Sequence, residues 1–346
     1  MKVGLFDHIG RADTNLAKLF DERLAFYGAA DRLGFYCFHL AEHHCSPINM
    51  APSPSVFLAA LARETKTMRL GPLCYLLTLY SPLRMLEEIS MLDHLSHGRF
   101  EIGVGRGVSP YDLGYHPGDH TKSREIFIDA YQCLRAGMKT DLLNYSGPYY
   151  NYKDTPIELH PYQEKPAFWY GSSNATGSTW AGEHGMHFTA NGPTEFAKGN
   201  IDVFKAALAK RGGPEVSKPE FSGGVAIGPL RHIVVAETDE EALAIAGPAS
   251  LKHLEELNWL RTKHANSEHA ERVNFPRAAT IEGMCKEGTF IIGSPQTVID
   301  EIRRQTEYLG TNYLLAYMMF GDMTLKQSMA SMKLFHSAVM PAIDRM

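Results

Sequence analysis

Gly98-Arg99-Phe100-Glu101-Ile102-Gly103-Val104-Gly105-Arg106-Gly107 is the stretch on which the fold turns. Residues 100–104 are a short apolar run of strand character, and Gly103, Gly105 and Gly107 invite comparison with the glycine signature of dinucleotide folds. The spacing fails: that signature needs glycine where the chain has Val108, and no helical pattern starts at once. Glycines at a strand end have another use. They let a flat ligand or a phosphate approach the backbone, and Arg106 brings a forked, permanent cation to it. The plain structural alternative is an Arg106 that pairs with Glu87 or Glu88 and holds no ligand.

Outward from this stretch the same pattern repeats. Apolar runs at 3–6, 35–40 and 68–77 precede it, separated by stretches of helical period. Residues 15–33 carry Leu16, Phe20, Leu24 and Tyr27 on one face, and the helices expected at 54–65 and 82–95 both open on proline, which suits a first helical turn. Strands apolar throughout, alternating with amphipathic helices, mean parallel β-structure with crossover helices. Downstream, strands are expected at 167–170, 187–190, within 225–238, at 289–292 and at 312–319, with helices at 174–183, 194–210, 295–309 and 324–338. About eight βα pairs result, the count of an α/β (β/α)8 TIM barrel, and no linker-like composition divides residues 1–346, so one domain is expected.

A barrel takes about 250 residues, and the chain has 346. Three stretches outside the repeat absorb most of the surplus: 108–122, rich in Gly, Pro, Tyr and His; 142–166, with a hairpin around Tyr145-Ser146-Gly147-Pro148-Tyr149-Tyr150; and the polar 251–288. Each follows a strand, and loops after strands form the active-site face of a barrel. The last is a candidate lid, its alternative being a surface excursion.

Composition narrows the partners. Lys and Arg total 34 against 39 Asp and Glu, a formal net charge of −5, which disfavours nucleic acid and anionic membrane. Five cysteines without a CxxC pair fit a reducing compartment, and with Asp7 and His8 interrupting the first apolar run a cytoplasmic location is expected. Neither HExxH nor cysteine spacing suggests a metal. Two further motifs stand at strand ends. Ala41-Glu42-His43-His44 can turn one imidazole to the barrel mouth, although most of 16 histidines are structural. Tyr170-Gly171-Ser172-Ser173-Asn174 followed by a helix reads either as an anion site or as a simple N-cap.

With these residues in place, the chain resembles the bacterial luciferase-like flavin monooxygenases. The resemblance runs through Ala41-Glu42-His43-His44, 52–61, Ser81-Pro82-Leu83-Arg84, Glu87-Glu88, Met91-Leu92-Asp93-His94-Leu95-Ser96, Gly98 to Gly107, Gly293-Ser294-Pro295 and Gly321-Asp322-Met323, nearly end to end. It implies a barrel that binds reduced FMN at its C-terminal mouth, where dioxygen adds to give a flavin 4a-hydroperoxide that oxidises a small organic substrate. It places His43 on the catalytic histidine and Arg106, with Gly107 and Val108, on the phosphate grip. It places Ser173, Asn174 and Gly177 on the helix-start phosphate positions, and Leu73-Cys74 on a non-prolyl cis pair beneath the flavin ring. Two positions depart from the pattern. Gly105 stands where light-emitting enzymes carry a reactive cysteine, and is expected to leave room beside the flavin. Gly177 stands where Ser or Thr is usual.

The implied partners are a separate NAD(P)H:flavin reductase, since no nucleotide fingerprint is present, and a second chain, identical or related, packed on the helices 54–65 and 82–95. A deazaflavin-dependent oxidoreductase and a non-catalytic flavin-binding subunit are the competing readings. The pair His43 and Arg106 favours a catalytic chain.

Overall fold

Short apolar runs lie side by side in the computed structural model, which describes residues 1–107, 110–263 and 280–344. In chain order the strands are β1 (Lys2–Asp7), β2 (Cys37–Leu40), β3 (Arg69–Pro72), β4 (Tyr75–Leu76), β5 (Ile102–Gly105), β6 (Leu142–Ser146), β7 (Asn151–Pro156), β8 (Phe168–Ser172), β9 (His187–Ala190), β10 (Ile227–Val235), β11 (Phe290–Gly293) and β12 (Tyr313–Tyr317). Apart from the antiparallel β6–β7 hairpin, every pairing is parallel, in the order β3-β2-β1-β12-β10-β9-β8-β5-β4. A parallel bridge from Leu70 to Phe100 joins β3 to the residues leading into β5 and closes the ring. β3 and β4 are one stave interrupted at Leu73-Cys74, so the ring has the eight-stave form of a TIM barrel.

The closing seam needs two glycines. A Cβ on Gly71 would lie 2.0 Å from the backbone oxygen of Glu101, and one on Gly103 would lie 2.0 Å from that of Pro72. Only hydrogen fits between these backbones. Directly inside the seam, the fully buried Glu101 accepts hydrogen bonds from Arg69 Nε and from Trp169 Nε1, the latter at 2.8 Å. His39 and the Tyr313 hydroxyl complete this layer at 2.9 Å, and burial pushes the His39 imidazole down to about 3, so it is neutral. The floor of the barrel is thus packed and paired, which leaves the other end for chemistry.

Local signals set the surrounding helices. Asn15 caps Leu16–Arg32 through Ala17 N, prolines open Pro54–Glu64, Pro82–Leu95 and Pro295–Leu309, and Thr324 with Gln327 forms a capping box on Leu325–Leu334. The helix Ser123–Gly137, which the periodicity did not single out, follows β5. Its Asp129 accepts the Tyr145 hydroxyl at 2.6 Å and the backbone N–H groups of Tyr149 and Tyr150, which pins the expected hairpin to the outside of the ring.

Two expectations need correction. The run at 289–292 is a strand, β11, but it pairs only with residues 232–235 of β10, beyond the part that β9 flanks and overlapping β12's pairing at His232 alone. It belongs to an insertion rather than to the ring. The stretch 251–288 does not start as a loop. It is entered on a helix, Asp239–Lys263, that begins well before it and buries Ala249, Ser250, His253, Glu256 and Leu260. Residues 264–279 of the expected lid lie outside the described residues. Among the described residues no helix is long and apolar enough to cross a membrane.

Gly103→Ala should cost about 1–3 kcal/mol or more, because overpacking at a backbone oxygen has no flexible side chain to relieve it. A urea melt checks this, and a midpoint unchanged from the parent would show that the seam tolerates separation.

Candidate active site

The C-terminal ends of the staves gather the residues that the sequence singled out. Glu42, one residue beyond Ala41 after β2, is buried and fully used. Its Oε1 accepts from His44 Nε2 at 2.8 Å and from the Tyr80 hydroxyl at 2.9 Å, while Oε2 accepts from Leu76 N at 2.9 Å. It ties the end of β2 to β4 and so fixes the backbone that presents His43. The half-buried His43 donates from Nδ1 to Asp112 Oδ2 at 2.8 Å. A carboxylate on Nδ1 selects the tautomer and leaves Nε2 for a second partner. Asp112 was not found from the sequence. It sits in the 108–122 stretch, far along the chain from His43, and no local motif marks it.

Leu73-Cys74 is a cis peptide between non-prolyl residues, as the resemblance implies. Desolvation pushes the Cys74 thiol up to about 12, so it is an inert apolar group. Its position corrects the expectation for Gly105. A Cβ on Gly105 would lie 2.1 Å from Cys74 Sγ, so the space freed by glycine is filled by the neighbouring thiol and is not open beside a flavin.

Arg106 stands next to this pair, one residue beyond Gly105, whose strand pairs with β4. It is exposed, and among the described residues its guanidinium forms no ion pair; only its backbone oxygen is engaged, by the Thr78 hydroxyl at 3.0 Å. The pairing with Glu87 or Glu88 is not formed, and Glu88 is held by Arg84 at 3.0 Å. Tyr170 connects Arg106 to the other motifs. Burial and Cys74 push its hydroxyl up to about 12, while Arg106 and Arg124 pull the other way, and its Cε1 lies 3.2 Å from where a Gly177 Cβ would be. Arg124 is thus a second exposed cation on this side, also missed in the sequence, where nothing distinguishes it from surface arginine.

Asn174 Oδ1 accepts the Gly177 N–H at 2.9 Å, so that amide is occupied by the N-cap. The absence of Ser or Thr at 177 has a steric cause: a Cβ there would lie 2.6 Å from Ser172 Oγ, which itself bonds Asn174 O at 2.9 Å. Ser173 is half-buried beside them, Gly107 is buried with φ +85°, and Val108 lies outside the described residues. A concavity of about 410 Å³ lined by Tyr131, Arg135, Lys139, His184, Arg211 and Glu215 lies among the outer helices and shares no residue with the mouth.

A mouth with one face of cations and helix-start hydroxyls and another with a carboxylate-held imidazole agrees with the comparisons to known proteins. The luciferase-like monooxygenase family model matches residues 1–312, and the chain belongs to that family. A protein of Sinorhizobium fredii without an assigned function is 34% identical over 344 residues, covering 99% of this chain and 97% of that one. The oxygenase component of a flavin-dependent trigonelline monooxygenase from Acinetobacter baylyi is 25% identical, with 99% and 96% covered. Among solved structures, the FMN complex of the oxygenating constituent of 3,6-diketocamphane monooxygenase from Pseudomonas putida superposes with a TM-score of 0.81 at 22% identity, over 99% and 98% of the two chains.

Gly105→Ala should destabilise the protein by about 1–3 kcal/mol. Adding Cys74→Ala should restore most of that, since the next atom, Cys74 Cβ, lies at 3.4 Å. Additive losses in denaturant melts would show that the two residues do not share this space.

Proposed function

We propose that the chain is the oxygenase of a two-component system, taking reduced FMN from a separate NAD(P)H:flavin reductase and using dioxygen to oxidise a small organic substrate. The observation that carries this reading is Arg106: a cation at the end of β5, with no counter-charge among the described residues, beside Tyr170, Arg124 and the N-cap of the helix Ala175–Glu183. A permanent cation without a protein anion suits a phosphate. The FMN phosphate fits there, held by Arg106 with the Gly107 backbone and by Ser173 and Asn174, while Gly177 leaves room for Ser172 to bond the Asn174 carbonyl. Reduced flavin, when bound, supplies the two electrons that activate dioxygen towards the substrate.

The chain's own residues do the rest. Leu73 and Cys74 offer an uncharged surface for a flat ring, as the raised thiol ensures. His43, oriented by Asp112, holds or accepts one proton at Nε2 close to the reacting atoms, and Asp112 acts through His43 as a positioning residue. The two helices proposed to pack on a second chain expose Val56, Met91 and Leu95.

Arg106→Ala should weaken reduced FMN by about tenfold or more in an anaerobic equilibrium titration, through loss of a charge-assisted bidentate contact. An unchanged affinity, or tight binding of a deazaflavin in place of FMN, would reject the reading. His43→Ala and Asp112→Asn should each leave that affinity nearly intact yet lower oxidation of a substrate found by metabolite screening. The fall for His43→Ala should be about a hundredfold or more. If Asp112 acts through His43, the double variant is no slower than His43→Ala alone, and full additivity would place Asp112 elsewhere.

A further inference from the structure

The helix Asp239–Lys263 places two side chains over the mouth that no reading of the flavin side uses. His253 is buried, with its ring 5.9 Å from His8, 4.8 Å from His232 and 5.5 Å from Tyr317, and His8 lies 5.4 Å from His43. Glu256 follows on the same helical face, where i and i+3 are neighbours. It is 2% exposed, neither carboxyl oxygen has a hydrogen-bond partner among the described residues, and it lies over the backbone of Gly10, where a Cβ would be 2.4 Å from its Oε2. Gly10, in the loop after β1, is what admits the carboxyl to this position.

The charges facing Glu256 are all committed elsewhere. Arg23 Nε is 2.8 Å from Asp7 Oδ2, and the second-nearest support of Asp7 comes from the Tyr27 hydroxyl at 2.7 Å and Ile9 N at 2.7 Å. Lys252 is engaged by Glu255 at 3.2 Å, and Tyr317 is a buried phenol. An ionised carboxylate in such a place, without donors, is more costly than a neutral acid. Desolvation, with help from Asp7 and Glu255, accordingly raises the Glu256 carboxyl to about 8. A neutral acid carries one O–H with no acceptor for it among the described residues, which an incoming acceptor would supply.

We infer that Glu256, with His253 and His8 beside it, is the specificity-determining corner of the substrate chamber and selects neutral organic molecules through a carbonyl oxygen, to which the Glu256 carboxylic acid donates. A hydrocarbon of the same shape would leave that O–H buried and unpaired, and a cation would find no counter-charge until the acid gave up its proton. The inference rests on the monooxygenase reading only in taking the bound molecule as substrate.

The test uses flavin-free protein and three probes of similar size, cyclohexanone, methylenecyclohexane and the N-methylpyridinium cation, with affinities read by ligand-observed NMR. Cyclohexanone should be preferred over methylenecyclohexane by about tenfold, the value of one buried hydrogen bond. Glu256→Leu should abolish the preference, and Glu256→Gln, whose amide still donates, should keep part of it. A preference unchanged in Glu256→Leu, a preference for the hydrocarbon or the cation, or no binding of cyclohexanone overturns the proposal. In the infrared, the wild type minus Glu256→Gln difference should contain a carboxylic acid C=O band. The band should be present below pH about 8, lost above it, and shifted by cyclohexanone. Absence of that band at pH 6 also overturns the proposal. Failure of the flavin reading would instead appear as missing FMN affinity with the carbonyl preference intact.

Discussion

The barrel exists because two backbones touch. At Gly71 against Glu101 and at Gly103 against Pro72, β3 and β5 approach to a distance that excludes any side chain. This seam closes the ring through Leu70 and Phe100. Closure removes the last free strand edges of the ring, so its staves hold one another in register. The same contact buries Glu101 between Arg69 and Trp169, which converts a close approach into a paired, charged floor. A carboxylate this deep is tolerable only because both oxygens are met, and the partners come from different staves.

The proposed site inherits its geometry from that seam. β3 leads within one turn to Leu73 and Cys74, and β5 leads to Gly105 and Arg106, so the inert thiol and the Arg106 guanidinium are carried side by side at the ends of adjoining strands. Glu42 then links β2 to β4 from above, through Leu76 N and Tyr80, and this places the peptide that carries His43. His43 in particular rests on two buried carboxylates: Glu42 for the backbone that carries it, Asp112 for its imidazole. Side chains locked in this manner keep their aim without paying for ordering when a ligand arrives.

Much of this is legible in the sequence. The apolar runs marked the strands because parallel strands buried on both faces need no polar alternation, and the prolines at 54, 82 and 295 marked helix starts with little ambiguity. His43, Arg106 and the Ser173-Asn174 helix start were legible because strand ends in a barrel converge. Three things were not. Asp112 meets His43 only through the tertiary fold. The use of the space at Gly105 depended on which way Cys74 points across a seam. The run 289–292 has full strand character but pairs with the far half of β10, and composition does not encode which neighbour a buried strand takes. In each case the missing information was a contact between residues distant in sequence.

The insertion that contains the helix Asp239–Lys263 and β11 is attached to the ring without being part of it. The lower half of β10 is already flanked by β9 and β12, and β11 adds only along the upper half. The barrel is therefore mechanically complete beneath the insertion. A change at 71 or 103 acts on closure of the ring itself, whereas the insertion touches the ring through the upper half of β10 and through the loops at Gly10 and Gly321. The molecule thus separates a ring whose closure depends on single glycines from an insertion that brings His253 and Glu256 next to the residues after β1.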